Sequence, residues 1–107
     1  MNTNLDSVNG ILTVTIPGDL TSTTAEPLRP AIYGALEKQG IARTWKLFRL
    51  GLPAAKMVDS VGLNLIVSLL KIVQQNGGKM QIACANANVH RTFMFTRLDK
   101  QIELVKL

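Results

Sequence analysis

The sequence predicts an α/β fold: a mixed, largely parallel sheet of four to five strands with helices packed against it, formed as a single domain over residues 1–107. Three observations carry this expectation. Short β-type runs alternate with longer segments of helical period, and right-handed crossovers turn that order into parallel strands. A near-continuous apolar run from Leu63 to Val73 is broken only by Asn64, Ser68 and Lys71, as in a helix covered on more than one side. A chain of 107 residues, 47% of them hydrophobic, is long enough for one modest core and too short for two.

Each element has its own signal. Asn9-Gly10 is the strongest hairpin signal, joining a weak segment, Asn4 to Val8, to a strand over Ile11 to Ile16. In that strand Leu12, Val14 and Ile16 alternate with Ile11, Thr13 and Thr15. Pro17-Gly18 ends it, and a polar loop from Asp19 to Thr24 leads into the first helix. Thr23-Thr24-Ala25-Glu26 has capping-box spacing, which sets Thr23 as N-cap. Ala25, Leu28, Ile32, Ala35 and Leu36 give one apolar stripe, and Gly40 closes the helix. Pro27 and Pro30 lack an N–H, so the first turns are irregular or the helix starts later.

Trp45 to Leu50 reads as a strand, with Lys46 and Arg49 out of place if both faces are covered. Gly51 to Ala55 is a connector to the short β-type pair Met57-Val58. Asp59 and Ser60 are both strong N-cap types, and one of them closes the first turn of the central apolar helix. Asn76-Gly77-Gly78 ends that helix through a left-handed glycine. Lys79 to Cys84 forms another strand. Asn86-Ala87-Asn88 caps a last helix running to about Leu98, with Val89 and Phe93 on one face and Phe95 or Leu98 joining them. Ile102 to Val105 makes a short final strand.

The formal charge of +5 is the balance of 12 cations and 7 acidic residues; the cations are scattered with no basic run of three, and aromatics do not interleave with them. A nucleic-acid partner is therefore not expected, since binders concentrate charge on one stripe and stack bases on aromatic platforms. No Gly-rich loop follows a strand, so no nucleotide cofactor is expected. The single cysteine, Cys84, excludes an internal disulfide and suits a reducing compartment, the cytoplasm by default. No secretory signal pattern opens the chain, and the longest apolar run falls short of the ~20 residues of a membrane span.

Candidate chemistry is sparse. His90 is the only histidine, and Ser60 lacks the upstream glycine of a nucleophile elbow, so a hydrolase triad has no support and no enzyme is expected. His90 beside Arg91 reads as solvent-exposed, and Cys84 as a buried small hydrophobe. Asp19, Glu26 and Asp59 are too dispersed to claim as a metal site. Phe93, Met94 and Phe95 cannot all point inward from one helix, so at least one is a candidate for a partner surface. Ser60 sits where the unpaired N–H groups of a helix start converge, a place suited to an added phosphate. Its plainer reading is a helix cap.

These motifs resemble the STAS domain, and specifically the stand-alone bacterial anti-sigma factor antagonists. Gly18-Asp19-Leu20 with Thr24-Ala25-Glu26-Pro27-Leu28-Arg29 is similar to the family's first strand end and first helix. Val58-Asp59-Ser60-Val61-Gly62-Leu63 resembles its signature, in which the serine after the aspartate accepts a phosphate. Gln75 to Met80 and Val89 to Phe93 resemble its turn into the third main strand and the start of its last main helix.

The resemblance implies a STAS-like fold and a partner-switching protein. Unphosphorylated, it would bind an anti-sigma factor that is also a serine kinase; the kinase would modify Ser60 and a serine phosphatase would reset it. Asp19, Thr21, Asp59, Ser60, Val61, Gly62 and Asn64 would form the partner surface, with Gly62 allowing close approach. The resemblance also allows a STAS subunit bound to a transport ATPase of a lipid-trafficking system, independent of phosphorylation. The chain departs from the family pattern in several places. Val61 stands where many members carry a second hydroxyl, Thr21 replaces an acidic residue, Gly51 stands for Asp or Asn, and Arg97 for a helix-ending glycine.

Overall fold

The computed structural model describes residues 1–40 and 45–107. A five-stranded sheet has β1 (Asn2–Asp6), β2 (Ile11–Thr15), β3 (Leu47–Leu52), β4 (Lys79–Cys84) and β5 (Glu103–Lys106) in that spatial order. β1 is antiparallel to β2, and every other pairing is parallel. Helices α1 (Ala25–Gly40), α2 (Ser60–Gln75) and α3 (Ala87–Phe95) form the crossovers. Because spatial order follows chain order, right-handed crossovers bring all three helices to one face.

That face holds the core. Leu12 and Val14, Phe48 and Leu50, Met80 and Ile82 point to it in register, against Ile32 and Leu36 of α1, Leu65, Ile66 and Leu69 of α2, and Val89 and Phe93 of α3. The alternate residues face the side that carries none of the described helices. There Arg49, Gln81 and Glu103 lie side by side across β3, β4 and β5, and Gln81 bonds to both its neighbours. Arg49 is thus compatible with a strand whose second face carries no described helix.

Several element boundaries differ from expectation. β1 begins two residues earlier, because Asp6 folds the chain into a four-residue loop, Ser7 to Gly10. Its carboxylate accepts the N–H groups of Val8 and Asn9 at 3.1 Å each and the Asn9 side-chain amide at 2.8 Å. Val8 is left 91% exposed. Asn9-Gly10 closes this longer loop, with Gly10 at φ 69°. Trp45 and Lys46 precede β3, whereas Gly51 and Leu52 belong to it. A Cβ on Gly51 would lie 3.3 Å from the Thr15 hydroxyl, so the glycine fits a tight strand contact. β5 starts one residue late, leaving Ile102 buried before it.

α1 starts at Ala25 with Thr24, not Thr23, at the cap position, since the Leu28 N–H bonds to the Thr24 carbonyl at 3.3 Å. Pro27 falls in the first turn, where a missing N–H costs nothing; Pro30 lies inside the helix. α2 ends in a Schellman motif: Gly77 at φ 75° donates to the Gln74 carbonyl at 3.0 Å, and Gly78 to the Val73 carbonyl at 3.0 Å. α3 ends at Phe95 rather than near Leu98, because Arg97 turns left-handed at φ 60° before a 3-10 turn over Leu98–Lys100. Phe93 and Leu98 are buried, whereas Phe95 and Met94 are 82% and 51% exposed.

Candidate functional site

The candidate site forms where two connectors leave adjacent parallel strands. One runs from the end of β2 to α1, the other from the end of β3 to α2. They meet in an isolated parallel bridge between Leu20 and Val58. There the Leu20 N–H donates to the Met57 carbonyl at 3.1 Å, and the Asp59 N–H to the Leu20 carbonyl at 3.2 Å. Two carboxylates reinforce the bridge from opposite sides. Asp19 Oδ1 accepts the N–H groups of Lys56 at 2.7 Å and Met57 at 3.2 Å, while Asp59 Oδ2 accepts the Ser22 N–H at 2.8 Å. Within the first connector, the Thr24 hydroxyl donates to the Asp19 carbonyl at 2.7 Å and accepts the Thr21 N–H at 2.9 Å.

The second connector ends in the start of α2. Asp59 is its N-cap, in extended conformation, with Oδ1 accepting the Gly62 N–H at 3.0 Å. The Gly62 N–H foremost, and then the Ser22 N–H, hold the Asp59 carboxyl below the usual carboxylate range. Ser60 is therefore not the cap. It is the first residue of the helix, with its side chain exposed. Asn64, one turn further on, is also exposed, and Val61 and Thr21 are half-buried. Gly62 is buried, and the close approach it permits is internal: a Cβ there would lie 2.1 Å from the Leu20 carbonyl oxygen.

The structure thus brings Asp19, Thr21, Asp59 and Ser60 onto one ledge. Glu26 is exposed on α1 and paired with Arg29 at 3.4 Å. Among the described residues no three metal-binding side chains converge. Cys84 is buried in the core, and burial pushes its thiol up. His90 is half-buried beside Lys106 rather than free in solvent. Beside the ledge lies a groove of about 400 Å³ with no counterpart among the sequence expectations, formed by Ile16, Pro17, Asp19, Thr23, Pro27 and Leu28. The two prolines flanking the polar loop were its available signal. No described helix is long and apolar enough to cross a membrane.

Chemically, the ledge offers an exposed hydroxyl at a helix N-terminus, with positive dipole and backbone N–H groups nearby. Its two carboxylates are occupied in holding backbone, which suits a rigid docking surface better than proton transfer.

Comparison with known proteins agrees with the fold. The family model described as the STAS domain matches residues 2–107. An anti-sigma F factor antagonist from Paenibacillus polymyxa is 30% identical over 91 residues, covering 85% of this chain and 74% of that protein. A solved anti-sigma factor antagonist from Mycobacterium paratuberculosis shares the fold with a TM-score of 0.77 at 22% identity, covering 99% of this chain and 86% of that one. The Bacillus cell fate determinant SpoIIAA, solved in its phosphorylated form, gives 0.64 at 15% identity, covering 98% and 92%.

Proposed function

The chain belongs to the STAS-domain family, and from that membership we propose that it is an anti-sigma factor antagonist working by partner switching. It acts by binding rather than by catalysis. With Ser60 unmodified it docks on an anti-sigma factor that is also a serine kinase; phosphorylation of Ser60 releases it, and a serine phosphatase restores it. The cytoplasm, where these partners work, is its place of action.

The observation that carries this reading is the exposed Ser60 hydroxyl at the first position of α2, directly after the capping Asp59. A kinase can reach it without unfolding anything. The relative SpoIIAA being known in a phosphorylated form supports the same chemistry. A phosphate adds about −1.5 to −2 charge. The helix start accommodates the group in the free protein. A bound partner meets that charge beside the Asp59 carboxylate in a desolvated contact, where it opposes binding. Asp19, Thr21, Val61 and Asn64 surround Ser60 in the contact, and Gly62 serves it by letting the Leu20 loop close against α2.

The test is affinity for the cognate anti-sigma kinase, measured for the wild type, Ser60→Ala and Ser60→Asp. Ser60→Ala should bind but take up no phosphate. Ser60→Asp should bind at least about tenfold more weakly, as an added charge in such an interface requires. Equal affinity for all three, with phosphate transferred elsewhere or not at all, would sink the proposal.

A further inference from the structure

We propose that the free edge of β5, with the groove between this strand and α3, binds an extended, acidic segment of a partner protein by strand addition. The proposal is independent of Ser60, because the groove draws on neither of the connectors that carry Asp19 and Asp59.

β5 is an edge strand, bonded to β4 on one side only. The Leu107 N–H bonds to the Cys84 carbonyl at 2.9 Å. By strand alternation Leu104 and Lys106 therefore turn their amides away from β4, ready for another strand. On the helix side of the same strand Lys106, with Ala87, His90, Arg91 and Met94 of α3, lines a depression of about 240 Å³. The volume suits one side chain and is small for a cofactor.

The charge is asymmetric across the strand. Lys106 pairs in register with the buried Cys84 and so projects to the helix side, into the groove. Glu103 projects to the opposite face, where it bonds Gln81. α3 carries no acidic residue, so Arg91 and Lys106 set the sign of the groove. A strand laid along β5 gains backbone hydrogen bonds. An acidic side chain on its inner face meets Arg91 and Lys106, and a neighbouring apolar one meets Met94. The concave shape suits a side chain better than the flat surface of a bilayer.

The probe is a short labelled peptide of alternating valine and glutamate, with its valine–lysine counterpart as control, titrated into the full chain. The expected result is saturable binding of the acidic peptide and slowed amide exchange at Leu104 and Lys106. Arg91→Glu should weaken that binding about tenfold and confer binding of the basic peptide, since interfacial charge pairs set partner choice. Arg91→Gln should weaken the first without conferring the second. Arg91 is exposed, so both variants should fold, as checked by circular dichroism. Failure of the acidic peptide to bind, equal binding of the two peptides, or unchanged exchange at Leu104 and Lys106 would each overturn the proposal. So would binding of phosphatidylglycerol vesicles, in place of the peptide, that Arg91→Glu abolishes.

Discussion

Asp19 and Asp59 hold each other's loops. The Asp19 carboxylate accepts the N–H groups of Lys56 and Met57, and the Asp59 carboxylate accepts the N–H of Ser22. Asp59 also caps α2 through the Gly62 N–H. One side chain therefore fixes both the loop beside Ser60 and the helix turn that bears it.

This linkage makes the ledge acid-sensitive. The folded Asp59 carboxyl is more acidic than the unfolded one, so the unfolded chain binds more protons as pH falls. The stabilisation from Asp59 is present above its unfolded pKa, about 4. It is lost as pH drops through the lowered folded value. Thermal melts from pH 7 to pH 3 should show a decline that Asp59→Asn reduces. Amide exchange at Ser22 and Gly62 should rise together in Asp59→Ala. Separate responses of the two amides would show that the loop and the cap are not coupled.

Gly62→Ala should be among the most damaging small substitutions. Its Cβ would lie 2.1 Å from the Leu20 carbonyl oxygen, which itself accepts the Asp59 N–H. Relief of the clash breaks that bond, and a loss of about 3 kcal/mol follows from overpacking against backbone. Denaturant unfolding reads this directly.

Arg97→Gly should stabilise. Arg97 holds φ 60° because its N–H bonds to the Met94 carbonyl at 3.1 Å and its carbonyl accepts the Lys100 N–H at 3.2 Å. Relief of the left-handed penalty, less the added freedom of the unfolded chain, leaves a gain of about 0.5–1 kcal/mol. An increase of a few degrees in Tm would be seen; a decrease would mean that the arginine side chain contributes contacts of its own.

Phe93 and Phe95 should behave as opposites despite their proximity. Phe93 is fully buried and Phe95 is 82% exposed. Phe93→Ala should cost about 3–5 kcal/mol. Phe95→Ala should stay within about 0.5 kcal/mol. Paired urea melts distinguish them.

The alternation of elements, the Schellman end of α2 and the Asn86 cap were legible because each is written in a few adjacent residues. Boundaries failed where a distant partner decided them. Gly51 reads locally as a break, yet it is a strand residue because it pairs with Thr15, which leaves little room for a side chain there. Trp45 reads as strand, yet its ring lies against Gly78, where a Cβ would come within 2.7 Å of it. At the site, the N-cap pair was visible, but which member caps was not, since both residue types are competent. The Asp19 bonds span 37 and 38 residues and leave no local trace. The family resemblance implies an opening for a partner at Gly62, whereas the space it leaves is filled by Leu20.

The spatial order of the strands has a consequence for how the molecule is made. Each strand pairs with the one before it in the chain. A nascent chain emerging from the ribosome can therefore add each strand to an edge already formed, without waiting for its C-terminal residues. Sequence-near pairing lowers the loop-closure penalty of folding and shortens the time that unpaired edges are exposed. β5 comes last, so the edge of β4 is the last to be covered.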